Sequence, residues 1–319
     1  MGFDEVALQA LADKAFVADE ANPLNETHAL VASLNGEVVF ERYAEPFDQS
    51  STFLSWSMAK SVTSALCGVL LGEGRLDLDA PAAVPEWRQP DDPRGEITLR
   101  HLLQMRSGLA WNEDYVDDQV SDVIEMLFGA GQPDTAGYAV AQPLAHVPGE
   151  EFYYSSGTTN IITRLLGDVI REGADGFGEA LLDGLLRPAG MDSVTITFDD
   201  AQTWIGSSFL YATARDYIAF GELFRNDGVG ADGRRLLPEG WVAASVEDHA
   251  TCPDTGQGYG LHWWLTRDDH GSYSANGYEG QRTQVSPDLG LTFVRLGQTG
   301  VEYHEDLLGF YADITACFA

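Results

Sequence analysis

Ser57 and Lys60 stand three positions apart, as Ser57-Met58-Ala59-Lys60, in a chain of 319 residues whose only other lysine is Lys14. A free serine hydroxyl is a weak nucleophile and needs a base beside it. Residues i and i+3 share a helix face, so this spacing sets a nucleophile next to a proton acceptor, the first requirement of serine acyl transfer. Two further demands fall on the element that carries them. The serine must sit at a helix amino end, where unpaired backbone N–H groups and the positive end of the dipole favour an oxyanion. The lysine must face an apolar interior, where burial lowers its pKa and lets it accept a proton near neutral pH. Met58, Val62, Ala65, Leu66, Val69 and Leu70 recur at helical spacing and Gly72-Glu73-Gly74 supplies a stop, so the sequence predicts a helix from Ser57 to Leu71 that meets both demands.

The remaining elements read as two groups. An amphipathic helix over roughly residues 3 to 19 opens the chain. Residues 29–34 and 37–42 are strand-like runs joined by Asn35-Gly36, a strong hairpin signal. Residues 76 to 200 read mostly as short helices between Pro and Gly loops: Thr98 to Met105, Asp117 to Phe128, Thr159 to Arg171 and Gly178 to Leu186. Strand patterns return at Tyr259 to Thr266, Gln281 to Ser286 and Leu291 to Leu296, and a helix from Asp306 to Cys317 follows. The expectation is an α+β fold. Residues 1–75 and 200–319 form a lobe around a central antiparallel sheet, a helical lobe of residues 76–199 is inserted, and the cleft lies at their junction.

Composition removes several classes of function. Fifty acidic against 18 basic residues give a formal charge of −32, a surface that repels nucleic acid and anionic membranes and suits saline surroundings, where screening weakens self-repulsion. Cys67, Cys252 and Cys317 are odd in number and widely spaced, which matches neither a disulfide framework nor a metal site. The acidic opening segment reads as no signal peptide, and no apolar run is long enough to span a membrane. A cytoplasmic protein without metal or cofactor is the expectation. The seven histidines do not cluster, and His262 reads as structural.

Three boxes then fall into order. After Ser57-Met58-Ala59-Lys60 comes Tyr154-Ser155-Ser156, reached through Pro148-Gly149-Glu150-Glu151-Phe152, and then Ala275-Asn276-Gly277-Tyr278-Glu279-Gly280-Gln281 just before the last strands. The stretch from Ile97 to Leu109 connects the first two. In these boxes the chain resembles the penicillin-recognising serine hydrolases with their β-lactamase/transpeptidase-like fold, and more closely the class C-like esterases and the 6-aminohexanoate-dimer hydrolases.

The resemblance implies a role for each box. Ser57 is the nucleophile and Lys60 its base. Tyr154 relays protons to the leaving group, partly as a phenolate stabilised by the lysine ammonium. The backbone N–H groups of Ser57 and Tyr278 form an oxyanion hole, with Ser156, Asn276 and Gly277 lining the substrate site. Asn112-Glu113-Asp114-Tyr115-Val116-Asp117-Asp118 is similar to the acidic, tyrosine-bearing loop that the dimer hydrolases place over the cleft, which gives Tyr115 a hydrogen bond to a leaving amine.

Departures from the pattern narrow the substrate. Relatives acting on β-lactams usually have Lys-Thr-Gly or His-Thr-Gly in the third box and Asn at the third position of the second; here these are Ala275-Asn276-Gly277 and Ser156. A carboxylate left without its cation is costly in a cleft, and Arg282 lies beyond the matching position. The expectation is a serine hydrolase of short esters or small amides that works through an acyl-enzyme on Ser57. The alternatives are a β-lactamase or D-alanyl-D-alanine peptidase, and a non-catalytic binding module of the same fold.

Overall fold

The computed structural model describes residues 2–17, 22–24, 26–115, 120–170 and 173–319. The helices are α1 (Glu5–Ala15), α2 (Ala59–Gly72), α3 (Leu99–Leu103), α4 (Asp122–Phe128), α5 (Thr135–Val140), α6 (Ser156–Ile170), α7 (Gly173–Leu181), α8 (Arg187–Ala189), α9 (Ala214–Arg225), α10 (Trp241–Ser245) and α11 (His304–Ala316). The strands are β1 (Thr27–Leu34), β2 (Glu37–Tyr43), β3 (Thr52–Leu54), β4 (Thr195–Ile196), β5 (Leu210–Thr213), β6 (Ala250–Thr251), β7 (Gly258–Tyr259), β8 (Trp264–Leu265), β9 (Tyr273–Gly277), β10 (Gln281–Ser286) and β11 (Leu291–Gly297). Eight of them form an antiparallel sheet in the order β2-β1-β11-β10-β9-β8-β7-β6, and β3-β5-β4 form a small second sheet. The fold is α+β, as expected. Among the described residues no helix is long and apolar enough to cross a membrane.

The large sheet has a hydrophobic cluster on each face. On one side α1 and α11 cover it with Leu8, Ala12, Leu307, Phe310 and Ile314; on the other lie α2, α6 and α9 with Val62, Leu66, Ile161 and Phe220. Contact on this second face is tight. Gly221 of α9 has no Cβ, and one placed there would come within 2.5 Å of Thr292 Cγ2 and 3.0 Å of Thr283 Cγ2.

Strand register decides which side chains meet which face, because neighbours along a strand alternate. Thr283 pairs with Ala275, Arg282 with Asn276 and Gln284 with Ser274. Thr283 Oγ1 lies 3.6 Å from Met58 Sδ, on the α2 side. Gln284 donates to Thr315 Oγ1 at 3.0 Å and the Arg282 guanidinium lies 4.5 Å above the Tyr311 ring, both on the α11 side.

Three expectations need adjusting. The Tyr259 to Thr266 run is two short antiparallel strands, β7 and β8, joined by a turn in which His262 takes φ +61. A continuous strand is ruled out there because the histidine ring is drawn inward by partners outside the sheet. The helix expected from Asp117 begins instead at Asp122, where Ser121 Oγ accepts from the Ile124 N–H as an N-cap; residue 117 itself lies outside the described residues, as do residues 18–19 of the first expected helix and Arg171 of another. The helices α5, α9 and α10 and the strands β3, β4, β5, β6 and β9 went unread in the sequence. The strands concerned are all five residues or fewer, too short for periodicity to separate from loop.

Candidate active site

Ser57, the expected nucleophile, stands on a turn held from both ends. β3 pairs with β5, the Ser55 N–H donates to Leu210 O at 2.8 Å, and Ser55 Oγ bonds the carbonyls of Trp56 and Ser208. Trp56 then takes φ +45, a left-handed conformation costly for a bulky residue. This sharp reversal lets an extended strand pass at once into a single 3₁₀ turn over Trp56–Met58 and so into α2. Ser57 is therefore one turn-fragment ahead of the α-helix proper, and Ala59 to Gly68 are buried on every side. A helix buried on every side lies within the core, with Ser61, Thr63 and Ser64 buried along it, and its first turn carries Lys60 in with it.

Lys60 is 1% exposed and makes three hydrogen bonds of 2.9 Å, to Ser57 Oγ, Ser156 Oγ and the Ser207 carbonyl. Burial pushes its pKa down to about 8, against a smaller opposing pull from Glu113. The partners also fix where the amine's lone pair goes. The Ser207 carbonyl only accepts, and the Ser156 hydroxyl donates its proton to Glu113 Oε1 at 2.5 Å. A neutral Lys60 must spend its two N–H bonds on these two acceptors, which turns the lone pair toward the Ser57 hydroxyl.

Glu113 is the residue that sequence reasoning missed. In the sequence it is one carboxylate of an acidic loop, yet it accepts from Trp111 Nε1 at 2.6 Å, from the Ser156 N–H at 2.8 Å and from Ser156 Oγ. Burial raises its pKa, opposed first by the Lys60 charge and then by these donors. The one clue in the sequence is Trp111 two residues earlier, an indole that needs an acceptor when buried. The Ser207 carbonyl carried no signal at all, since any residue supplies one.

Tyr154 lies over the pair, its ring centroid 4.9 Å from Lys60 Nζ and packed against Trp264 at 5.4 Å. Its pKa moves opposite to expectation. Burial and the Glu113 charge push it up, with only the neighbouring Ser57 hydroxyl in opposition. A resting phenolate is therefore disfavoured, and Tyr154 is held as a neutral phenol with a proton to give.

The third box meets the nucleophile turn edge on. Tyr278 packs its ring against Trp56 at 5.6 Å in a T-shaped contact. Neither the Ser57 nor the Tyr278 N–H reaches a backbone carbonyl outside its own element among the described residues. Gly277 is needed for closeness: a Cβ there would run into the Ser55 carbonyl and come within 2.8 Å of Gln281 Cβ. Tyr115 stacks on Tyr278 with centroids 4.7 Å apart and also hydrogen-bonds Ser156, while residues 116–118 of its loop lie outside the described residues. Asn276 departs from its expected place. Register turns its side chain to the α11 face, away from Ser57, beside Arg282. Arg282 shares that face, so it cannot stand in for the missing third-box cation at Ala275.

A cleft of about 760 Å³ opens beside these residues, lined among others by Asn112, Glu113, Asp114, Tyr154, Asp254 and Trp264. His262 supports the site from behind. Its Nδ1 lies 2.9 Å from Leu103 O and its Nε2 3.0 Å from Thr159 Oγ1. The carbonyl only accepts, so Nδ1 carries the proton and Nε2 accepts from the threonine. Burial, with a smaller contribution from Lys60, pushes its pKa down to about 3, so the ring stays neutral.

A family model described as Beta-lactamase matches residues 25–316. The 6-aminohexanoate-dimer hydrolase of Paenarthrobacter ureafaciens is 28% identical over 314 residues, covering 91% of this chain and 77% of that one. Penicillin-binding protein 4 of Amycolatopsis lactamdurans is 25% identical over 317 residues, covering 83% of this chain and 78% of its own. A solved family VIII carboxylesterase superposes with a TM-score of 0.72 over 98% of this chain and 99% of that one, at 14% identity, which speaks to the fold alone.

Proposed function

From the premise that this chain belongs to the beta-lactamase family of serine hydrolases, we propose that it cleaves short esters or small amides through an acyl-enzyme on Ser57. The observation that carries this reading is the three-way coordination of Lys60, which aims its lone pair at the Ser57 hydroxyl at 2.9 Å. Lys60 takes the Ser57 proton as the oxygen attacks the substrate carbonyl. The Ser57 and Tyr278 N–H groups receive the developing oxyanion, a pairing that typically makes each donor worth about 3 kcal/mol in the transition state. Tyr154 protonates the departing alcohol or amine and recovers its proton from the Lys60 ammonium. Water then attacks the acyl-enzyme by the same route, with Lys60 again as base.

Two features favour this substrate class over β-lactams. Ala275, 1% exposed, occupies the place of the third-box cation, and Glu113, Asp114 and Asp254 give the cleft an acidic lining, which attracts substrates bearing an amino group. The likeness to a 6-aminohexanoate-dimer hydrolase points the same way.

A side-by-side panel of short-chain p-nitrophenyl esters, 6-aminohexanoate dimer and nitrocefin tests the reading, with intact mass reporting acylation. The expected result is ester turnover and an acyl adduct on Ser57, both lost in Ser57→Ala. Undiminished turnover in Ser57→Ala would overturn the mechanism, preferential nitrocefin cleavage the substrate class, and absence of both labelling and turnover would favour a binding module.

A further inference from the structure

On the α11 side of the sheet, where register places Asn276 and Arg282 side by side, lies a second cavity of about 300 Å³. Arg282 lines it while 3% exposed. Its Nε donates to Gln284 Oε1 at 2.9 Å and its guanidinium rests on Tyr311. Among the described residues its two terminal nitrogens make no hydrogen bond and no ion pair. Arg295, equally buried on the neighbouring strand, shows what a satisfied arginine looks like here: its nitrogens bond Thr27 Oγ1, Thr299 Oγ1 and the carbonyls of Glu279 and Gly280. In a chain with 50 acidic residues, this buried arginine has no carboxylate in ion-pair contact, Asp268 acting on it only through longer-range attraction, and such a charge is costly until an anion joins it.

A second polar group points to the same ligand. The Asn276 amide makes no hydrogen bond among the described residues, and its Oδ1 is buried without a partner. Either orientation of that amide leaves a polar group unmatched beside the guanidinium. Tyr311, Leu307 and Leu308 supply apolar wall, and Val301, 57% exposed, stands at the mouth. Glu279 also lines the cavity, but its charge interactions are with Glu26 and Arg295.

We propose that this cavity binds the carboxylate of a short aliphatic acid, with Arg282 as counter-charge, the Asn276 amide as second donor and the α11 side chains around the alkyl chain. The cavity shares Thr255 and Val301 with the lining of the catalytic cleft, so the carboxylate belongs either to the far end of a substrate in that cleft or to a free acid. The site requires no turnover, and the titrations that test it are independent of the hydrolase reading; only the arm that separates the two sources rests on a reactive Ser57.

The test is isothermal titration of the intact chain with sodium hexanoate at low salt, with hexanol and hexylamine as controls. Saturable binding of hexanoate alone is expected, weakened about tenfold or more in Arg282→Gln, as for loss of a charge-assisted pair. Val301→Trp, an exposed substitution that obstructs the mouth, is expected to weaken it likewise and keeps the test in hand if Arg282→Gln does not fold. Repeating the titration on protein phosphonylated at Ser57 separates the sources: weaker binding assigns the carboxylate to a cleft-bound substrate, unchanged binding to a free acid. No saturable heat at about 10 mM hexanoate, equal affinity in folded Arg282→Gln, or equal affinity for hexanol would overturn the proposal.

Discussion

Glu113 and Lys60 hold opposite sides of one hydroxyl. Ser156 gives its proton to the carboxylate at 2.5 Å and takes a hydrogen bond from the amine at 2.9 Å. The acid therefore acts on the base at one remove, by orienting what lies between them and by its charge, which raises the Lys60 pKa against the larger effect of burial. In Glu113→Gln that charge is gone, so the Lys60 pKa falls and the rising limb of kcat/KM against pH moves to lower pH. Ser156→Ala leaves Lys60 with one fixed acceptor fewer, and a loss of about tenfold or more in kcat is expected. An unmoved limb in Glu113→Gln, measured by ester turnover from pH 5 to 10, would contradict the coupling.

The wild-type profile follows from the same pKa. Lys60 must be neutral to act as base, and its pKa is about 8 in the folded protein, so kcat/KM for a neutral ester rises as pH climbs through about 8 and then levels. A limb near the ordinary lysine value of 10.5 would mean that burial does not prepare Lys60 as a base near neutral pH.

Because Tyr154 is held protonated, its contribution lies in giving a proton to the leaving group. A p-nitrophenolate departs without one, whereas an amine does not. Tyr154→Phe is accordingly expected to lose about a hundredfold or more on an amide or alkyl ester and much less on the p-nitrophenyl ester of the same acid. Equal losses on both would contradict proton donation to the leaving group as its role.

Gly277 has φ −124, open to any residue, so the cost of Gly277→Ala is purely steric. The new methyl meets the Ser55 carbonyl and Gln281 and pushes the Tyr278 N–H away from the nucleophile turn. Overpacking of this kind costs about 1–3 kcal/mol of stability. A fall in kcat with KM little changed is expected, and a folded variant with full kcat would remove Tyr278 from the oxyanion hole.

His262 sets an acid limit on the fold. Its folded pKa of about 3 lies below the ordinary 6.5; between these values the unfolded chain binds the extra proton, so stability falls as pH drops across this window, by at most about 1.4 kcal/mol per pH unit for one group. His262→Asn is expected to have a lower Tm at pH 7 but a flatter decline from pH 6.5 to 4, measured by thermal denaturation. An unchanged slope would locate the acid sensitivity elsewhere.

Legibility in the sequence was uneven for physical reasons. Ser57, Lys60 and Tyr154 converge because each sits in a segment whose local pattern is distinctive: an apolar helix start, and a tyrosine ahead of α6. Glu113 was hidden because one carboxylate in a loop with Asp114, Asp117 and Asp118 resembles the others until its three donors are seen. Asn276 was misplaced for want of a parity argument. β9 alternates faces, so once Ala275 is set toward Met58 its neighbour must point to α11. The phenolate expectation for Tyr154 weighed the nearby ammonium without burial and the Glu113 charge, both of which push its pKa up.

The scarcity of lysine has a practical side. Of the two, Lys60 is sealed beneath the nucleophile, while Lys14 is exposed on α1, which covers the sheet face opposite α2. Amine-directed reagents at neutral pH thus find one addressable side-chain ammonium, set behind the sheet. Biotin, a dye or a resin attached there gives every molecule the same orientation and leaves the cleft facing the solution.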